Sequence, residues 1–262
     1  MTNVKDLAML MFSLEADFRC KEAGEHIVCL RCIKCRESFE DQVVDDITSI
    51  NQYIDHTLLS ANATSSAIYQ LCEEADKFRF KNICVNPAFI NLLRNHTFPP
   101  PICTVIGFPL GANTSETKTF EAKNAIILGV SEIDMVINIG ALKEDNHQYI
   151  YDEICQIANL CADSNVVLKV ILETCLLTEM EIIKGCLIAK RAGADFVKTS
   201  TGFSTAGADT KSVELMRRVV GKKIGVKASG GIKTKADALA MIKAGANRIG
   251  TSNSVSIMKE FI

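Results

Sequence analysis

No charge of one sign dominates this chain. Its 29 lysines and arginines face 31 acidic residues, a formal −2 over 262 residues. Such a balance gives no reason to expect nucleic-acid binding or attraction to an anionic membrane. Long apolar runs are missing as well. The longest near the start, Leu7–Phe12, is too short for a membrane span or a signal h-region, and Glu15 and Asp17 follow closely. The expectation is a soluble cytosolic protein with no nucleic-acid or membrane partner. A phosphate-sized ligand must then be captured by local geometry.

A second C-x2-C pair is also lacking. Residues 1–47 contain Cys20, His26, Cys29, Cys32 and Cys35, the last three in C-L-R-C-I-K-C. Zinc takes four ligands, often from paired knuckles separated by a longer loop, and here no second knuckle follows. The segment reads as an appended extension with reduced thiols and no metal. The competing reading is a structural metal site completed by His26 or Cys20. Eleven cysteines raise the question of disulfides, but a chain of this size with 48% hydrophobic residues needs no staples. Cys84, Cys103, Cys155, Cys161, Cys175 and Cys186 all sit inside apolar segments, as reduced core cysteines do.

From residue 48 onward, β-branched runs alternate with amphipathic stretches. The strand candidates are Tyr53–Thr57, Asn82–Val85, Ile102–Ile106, Glu132–Ile137, Val166–Leu172, Asp195–Thr199, Ile224–Ala228 and Arg248–Thr251. Helical patterns fill the gaps, and Ser254–Phe261 adds a last one. Thr178 with Glu181 forms a capping box, and Thr234 with Asp237 resembles one. Gly129, Gly193 and Gly245 stand where helices end. L-G-V-S-E-I-D-M-V, R-A-G-A-D-F-V-K-T and K-A-G-A-N-R-I-G-T repeat one unit: helix end, glycine turn, strand. The count predicts an α/β fold, a (β/α)8 TIM barrel over 48–262 behind a short N-terminal extension. An open doubly wound sheet is the alternative, since periodicity cannot show closure. In both, chemistry belongs at the C-terminal strand ends.

Two lysines stand at such ends, Lys198 in V-K-T-S-T-G-F and Lys227 in V-K-A-S-G-G. Strand alternation turns Lys198 into the barrel mouth with Phe196. Taken singly, a barrel lysine is more often a salt-bridged one that reaches solvent. A second ammonium close by makes each positive charge costly, which is how an amine becomes nucleophilic at neutral pH. Lowering a lysine from ~10.4 to about 7 requires roughly 4–5 kcal/mol of differential destabilisation. Asp134 and Lys169 lie on earlier strands. Asp134 either neutralises a lysine or passes protons between a water molecule and the substrate carbon. Asp55, in Y-I-D-H-T-L-L, is a similar strand-end acid, while His56 beside it reads as structural.

Three glycine- and hydroxyl-rich turns end the last three strands: Thr199–Gly202, Ser229–Gly231 and Gly250–Ser252. Their N–H groups can approach an anion closely, and the loops after the last two strands are the habitual phosphate site of this barrel. Turns use the same residues for other reasons. The candidate substrate-binding set is Asp55, Lys169, Thr201, Gly202, Gly230, Gly231, Gly250, Thr251 and Ser252.

The segments E-I-D-M-V-I-N-I-G, K-V-I-L-E-T, A-G-A-D-F-V-K-T-S-T-G-F and G-V-K-A-S-G-G-I, with I-D-H-T-L-L and I-C-V-N-P before them, resemble the deoxyribose-phosphate aldolases. These are class I aldolases of deoxynucleoside breakdown, and the likeness covers roughly residues 50–255 in order. The resemblance implies Lys198 as the Schiff-base lysine, Lys227 as the lysine that perturbs it and Asp134 as the relay acid. Gly202, Gly230, Gly231 and Ser252 would hold the 5-phosphate. It further implies a phosphosugar substrate, no metal or organic cofactor, and a homodimer or homotetramer. Some members end in a tail whose tyrosine enters the site; this chain ends Phe261–Ile262, which would leave proton transfer to Asp134 and water. Cys84 stands where the family can carry a cysteine attacked by excess aldehyde, and core packing is its other reading. The rival functions are a transaldolase-like or ketose-phosphate aldolase and a non-catalytic phosphosugar-binding protein.

Overall fold

A computed structural model describes residues 49–94 and 99–261. The expectations attached to Cys20, His26, Cys29, Cys32 and Cys35 fall outside the described residues. Eight strands close into a parallel barrel in chain order: β1 Ile54–Leu58, β2 Asn82–Val85, β3 Ile102–Ile106, β4 Glu132–Val136, β5 Val167–Ile171, β6 Phe196–Lys198, β7 Gly225–Ser229 and β8 Arg248–Thr251. The last strand pairs with the first through Ile54↔Ile249 and Asp55↔Gly250, so the open-sheet alternative falls.

The described helices are α1 Ser65–Phe78, α2 Ile90–Arg94, α3 Ser115–Ile127, α4 Ile139–Lys143, α5 His147–Asp163, α6 Glu179–Arg191, α7 Thr210–Val220, α8 Lys235–Lys243 and α9 Ser254–Lys259. Local chemistry sets their ends. Thr178 and Thr234 both start full capping boxes, with Glu181 and Asp237 returning the bond. Gly129, Gly193 and Gly245 take positive φ just past three helices, where a Cβ would be strained. Helix α4 was not foreseen: Asn138 caps it by accepting from the Ala141 N–H at 3.0 Å. No described helix is long and apolar enough to cross a membrane.

Two cores result from the strand period of two. Outward residues such as Ile83, Ile133, Val170, Val197, Val226 and Ile249 are fully buried, as are Ile68, Ile154, Ile183, Val213 and Met216 of the helices. Each such side chain stabilises by about 1.5–3 kcal/mol. The inward residues are mostly polar and stack in layers of four from alternate strands. From the bottom these are Asn82, Glu132, Phe196, Arg248; then Asp55, Cys103, Lys169, Lys227; then Cys84, Asp134, Lys198, Gly250. Register fixes the stagger: Lys227 pairs with Lys198 on one side and Arg248 on the other.

At the barrel floor, Phe196 lies opposite Gly225, and the Arg248 guanidinium stands 5.3 Å from the Phe196 ring centre. A Cβ on Gly225 would come within 2.1 Å of that ring. Gly225→Ala should therefore destabilise the protein by about 1–3 kcal/mol through overpacking. Thermal unfolding checks this; an unchanged Tm would show that the floor yields freely.

Candidate active site

Asp134 is the centre of the inward network. Its Oδ2 accepts from Lys198 Nζ and from Lys227 Nζ, each at 2.8 Å, and its Oδ1 accepts from Lys169 Nζ at 2.7 Å. The two amines thus stand no farther apart than twice that first distance. Asp55 Oδ2 takes Lys227 Nζ at 2.5 Å, and Asp55 Oδ1 takes Arg248 at 2.8 Å and Asn82 Nδ2 at 3.1 Å. Glu132 accepts from Lys169 at 2.5 Å and from Arg248 at 2.9 Å. Every member is buried.

Burial works against each charge here, and the neighbours overturn it. Desolvation alone would raise the Asp134 carboxyl, yet Lys169, Lys198 and Lys227 together hold it well below the usual carboxylate range. Asp55 follows the same logic through Lys227, Lys169 and Arg248. Desolvation would lower the Lys227 amine, but Asp134 and Asp55 raise it above its ordinary value. Lys169 is raised likewise, chiefly by Asp134.

Contacts are unequally shared. Lys227 touches two carboxylates and Lys169 touches Asp134 and Glu132, with Asp55 at 3.8 Å. Lys198 touches one carboxylate oxygen, although it stands beside Lys227 in register. In their ordinary ionised forms the seven groups number four cations and three anions. The cluster thus holds one proton more than neutrality requires, and the cation with least compensation is the one nearest the mouth.

The predicted residues Lys198, Lys227, Asp134, Asp55 and Lys169 therefore meet in one network, with Asp55, Lys169 and Lys227 in the layer beneath Asp134 and Lys198. Glu132, Arg248, Asn82 and Cys103 were missed. Glu132 and Arg248 each lie two residues from an inward position, Asp134 and Gly250, so the period of two was the available signal. Cys103 Sγ lies 3.2 Å from both Lys169 Nζ and Asp134 Oδ1. Its thiol is raised well above normal by burial, whereas Cys84 is lowered, chiefly by a hydrogen bond from Cys103. These thiols and acids have metal-ligand proximity, but the Lys169 ammonium already sits among Cys103, Glu132 and Asp134 as their cation. His56 is directed outward, 2.8 Å from Glu74 of α1, and serves the barrel wall.

Above the ions lie the glycine turns. Gly202, Gly230 and Gly231 adopt φ of 86°, 84° and 78°, open to glycine at little steric cost. The Ala208 N–H donates to the carbonyls of Ser229 and Gly230, at 3.0 Å each, which ties the turn after β6 to the turn after β7. The Ser200 and Ser229 hydroxyls are buried with no protein partner among the described residues. Gly250 leaves room for both Ser229 and Lys227; a Cβ there would stand 2.3 Å from Ser229 Oγ. Thr251 is engaged within the fold, donating to the Ile232 carbonyl at 2.7 Å, while Ser252 is exposed before α9. Thr201 turns its N–H and hydroxyl into Glu173.

Residues 49–256 match the model of the DeoC/LacD family aldolases. The chain belongs to that family. It is 56% identical over 211 residues to deoxyribose-phosphate aldolase 1 of Vibrio vulnificus, an alignment covering 80% of this chain and 95% of the relative. The deoxyribose-phosphate aldolase of Carboxydothermus hydrogenoformans is 52% identical over 221 residues, covering 82% and 96%. Among solved structures, the tetrameric deoxyribose phosphate aldolase of Aeropyrum pernix superposes with a TM-score of 0.76 at 33% identity, covering 89% of this chain and 98% of that one. The aldolase QR15 gives 0.78 at 38%, covering 81% and 96%.

In this aldolase the pH dependence of stability has two flanks. The lowered carboxyls of Asp55 and Asp134 contribute stability above their unfolded value near pH 4, lost as pH falls through and below it. The raised amines of Lys169 and Lys227 contribute stability that is complete below their unfolded value near 10.5 and is lost at still higher pH. A plateau from roughly pH 5 to 10 is expected. Asp134→Asn leaves three buried ammoniums sharing a neutral partner and should cost about 3–5 kcal/mol on that plateau. It should also flatten the acid flank. Denaturant unfolding at pH 4, 7 and 10 checks both; an Asn variant as stable as wild type would show that the lysines do not need the charge.

Proposed function

We propose that the protein is a deoxyribose-phosphate aldolase. It cleaves 2-deoxy-D-ribose 5-phosphate reversibly into D-glyceraldehyde 3-phosphate and acetaldehyde, within cytoplasmic deoxynucleoside breakdown. The single observation that carries the chemistry is the shared Asp134 oxygen between Lys198 and Lys227. Likeness to relatives bearing that name supports the substrate.

The cluster's extra proton is the one that Lys198 gives up. Lys227, pinned by Asp55 and Asp134, stays cationic, so releasing a proton from Lys198 brings the buried groups to neutrality. The neutral amine attacks the open-chain aldehyde carbon; loss of water from the carbinolamine gives an iminium on Nζ. That cation occupies the place of the ammonium beside Asp134 Oδ2, so the network is restored rather than strained. The positive nitrogen accepts the electron pair as C2–C3 breaks, which removes the need for a metal or an organic cofactor in this reading. Asp134 passes the C3 hydroxyl proton through water and later returns a proton to the enamine carbon, C2. With its carboxyl held low it serves as a relay and not as a store: a proton placed there leaves quickly. Hydrolysis frees acetaldehyde and Lys198.

The phosphate end lies against Gly202, Gly230 and Gly231, with the unpartnered Ser200 and Ser229 hydroxyls nearby to meet polar sugar atoms. A homodimer or homotetramer is the assembly proposed. Support comes from the tetrameric relative and from α3, whose outer face exposes Phe120 and Ile127.

Borohydride reduction in the presence of deoxyribose 5-phosphate should add one reduced sugar-derived group, mapped to the peptide carrying Lys198. Lys198→Ala should give no adduct and lower kcat by at least about a thousandfold. A label on Lys227 or Lys169 instead would overturn the assignment of the nucleophile.

A further inference from the structure

Glu173 is a buried carboxylate that the proposed mechanism does not use. It follows β5, between the strand of Lys169 and the strand of Lys198, and is 2% exposed. Its backbone is left-handed, at φ 60° and ψ 63°, a region that residues with a Cβ rarely enter and that clusters where function demands it. The flanking ladder shows why. The Leu172 N–H donates to the Lys198 carbonyl at 3.0 Å, and the Thr174 N–H donates to the Thr199 carbonyl at 2.9 Å. Two residues advance on one side while one advances on the other, so Glu173 is the extra residue of a bulge. Bulges re-aim side chains.

Here the side chain is aimed at the turn after β6. Glu173 Oε2 accepts from the Thr201 N–H at 3.2 Å and from the Thr201 hydroxyl, and Oε1 accepts from the same N–H at 3.4 Å. Cys175 Sγ lies 3.7 Å from Oε1. No basic side chain pairs with this carboxylate among the described residues, so the loop itself supplies its compensation. Thr201 Oγ1 in turn accepts from the Phe203 N–H at 3.1 Å. Gly202 is therefore held from both sides. Phe203 extends the relay across the mouth to Phe108 of the turn after β3, ring centres 5.3 Å apart and nearly perpendicular.

We propose that Glu173 is a positioning residue: by clamping Thr201 it fixes the Gly202 segment at a set distance from Lys198, so that a sugar phosphate of one length spans amine and anion site. The inference rests on the aldolase reading for its substrate. It also assigns Thr201 to holding the loop, with its donors turned to Glu173 and away from the sugar. A carboxylate placed this near an anion site would be a poor direct ligand; acting through a neutral threonine, it orders the loop from behind.

Three variants separate this from a role in folding alone. Glu173→Gly relieves the left-handed strain while removing the clamp, Glu173→Ala removes the clamp and keeps the strain, and Glu173→Gln retains an acceptor. The Gly and Ala variants should raise KM for deoxyribose 5-phosphate by about tenfold or more, with kcat within about threefold of wild type. Their kcat/KM on unphosphorylated 2-deoxyribose should change by less than about threefold, and Glu173→Gln should stay within about threefold on both sugars. Equal losses on the two sugars, or a folded Gly variant with unaltered KM, overturn the inference. Inorganic phosphate gives a readout free of the reaction: it should raise the Tm of wild type and Glu173→Gln but not of Glu173→Gly. If wild type does not turn over deoxyribose 5-phosphate, the substrate reading falls, and phosphate protection still decides the role of Glu173. Protection missing in wild type, or equal in all variants, counts against the clamp.

Discussion

One carboxylate holding three ammonium groups is the constraint around which this barrel is arranged. In a low-dielectric interior three like charges so close together repel strongly, and removing their common counter-ion leaves them uncompensated. Barrels of this class ordinarily fill their interior with branched apolar side chains. Here those side chains are displaced outward, between strands and helices, and the space inside is given to Asp55, Glu132, Asp134, Lys169, Lys227 and Arg248. The stabilising apolar burial and the buried charged groups therefore occupy opposite faces of the same strands. A one-residue slip in any strand would exchange them.

Within that interior the charge is graded from floor to mouth. Arg248 bridges Glu132 and Asp55 at the bottom, and Lys169 lies between Glu132 and Asp134 higher up. Compensation thins only at Lys198. The Gly250 position has the same logic in steric form: lacking a Cβ, it makes room for the Lys227 chain and the Ser229 hydroxyl just below the anion turns. Asp55 and Lys169 then share the layer of Lys227, one step below Asp134 and Lys198.

Periodicity carried the fold, because outward Val and Ile alternate with inward polar residues and glycine marks the turns. Asn82–Val85, Ile102–Ile106 and Arg248–Thr251 are strands with the predicted bounds, and the other five differ by one residue at one or both ends. Among the described residues the link after β2 is a 3-10 turn, Pro87–Phe89, followed by the short α2. The lysine pair was legible because two V-K strand ends repeat. What sequence could not show was the oxygen between them: it expected one ammonium to act directly on the other, while the fold places Asp134 at both. Glu173 left no trace either. Left-handed positions usually announce themselves as glycine or asparagine, and here a glutamate is forced into that conformation by its bonds to the next strand.

Lys198 and Lys227 show how position, and not residue type, divides labour. Both are lysines, paired in register, both bonded to Asp134 Oδ2 at the same distance. The difference is Asp55, which reaches Lys227 from β1 and does not reach Lys198. That second carboxylate helps hold the Lys227 amine above its ordinary value, so the ammonium standing beside Lys198 is a fixed one. Asp134 alone could not make this choice, since it treats the two amines alike. The asymmetry between the two lysines thus arises across the closure of the barrel, where the first strand's acid meets the seventh strand's base.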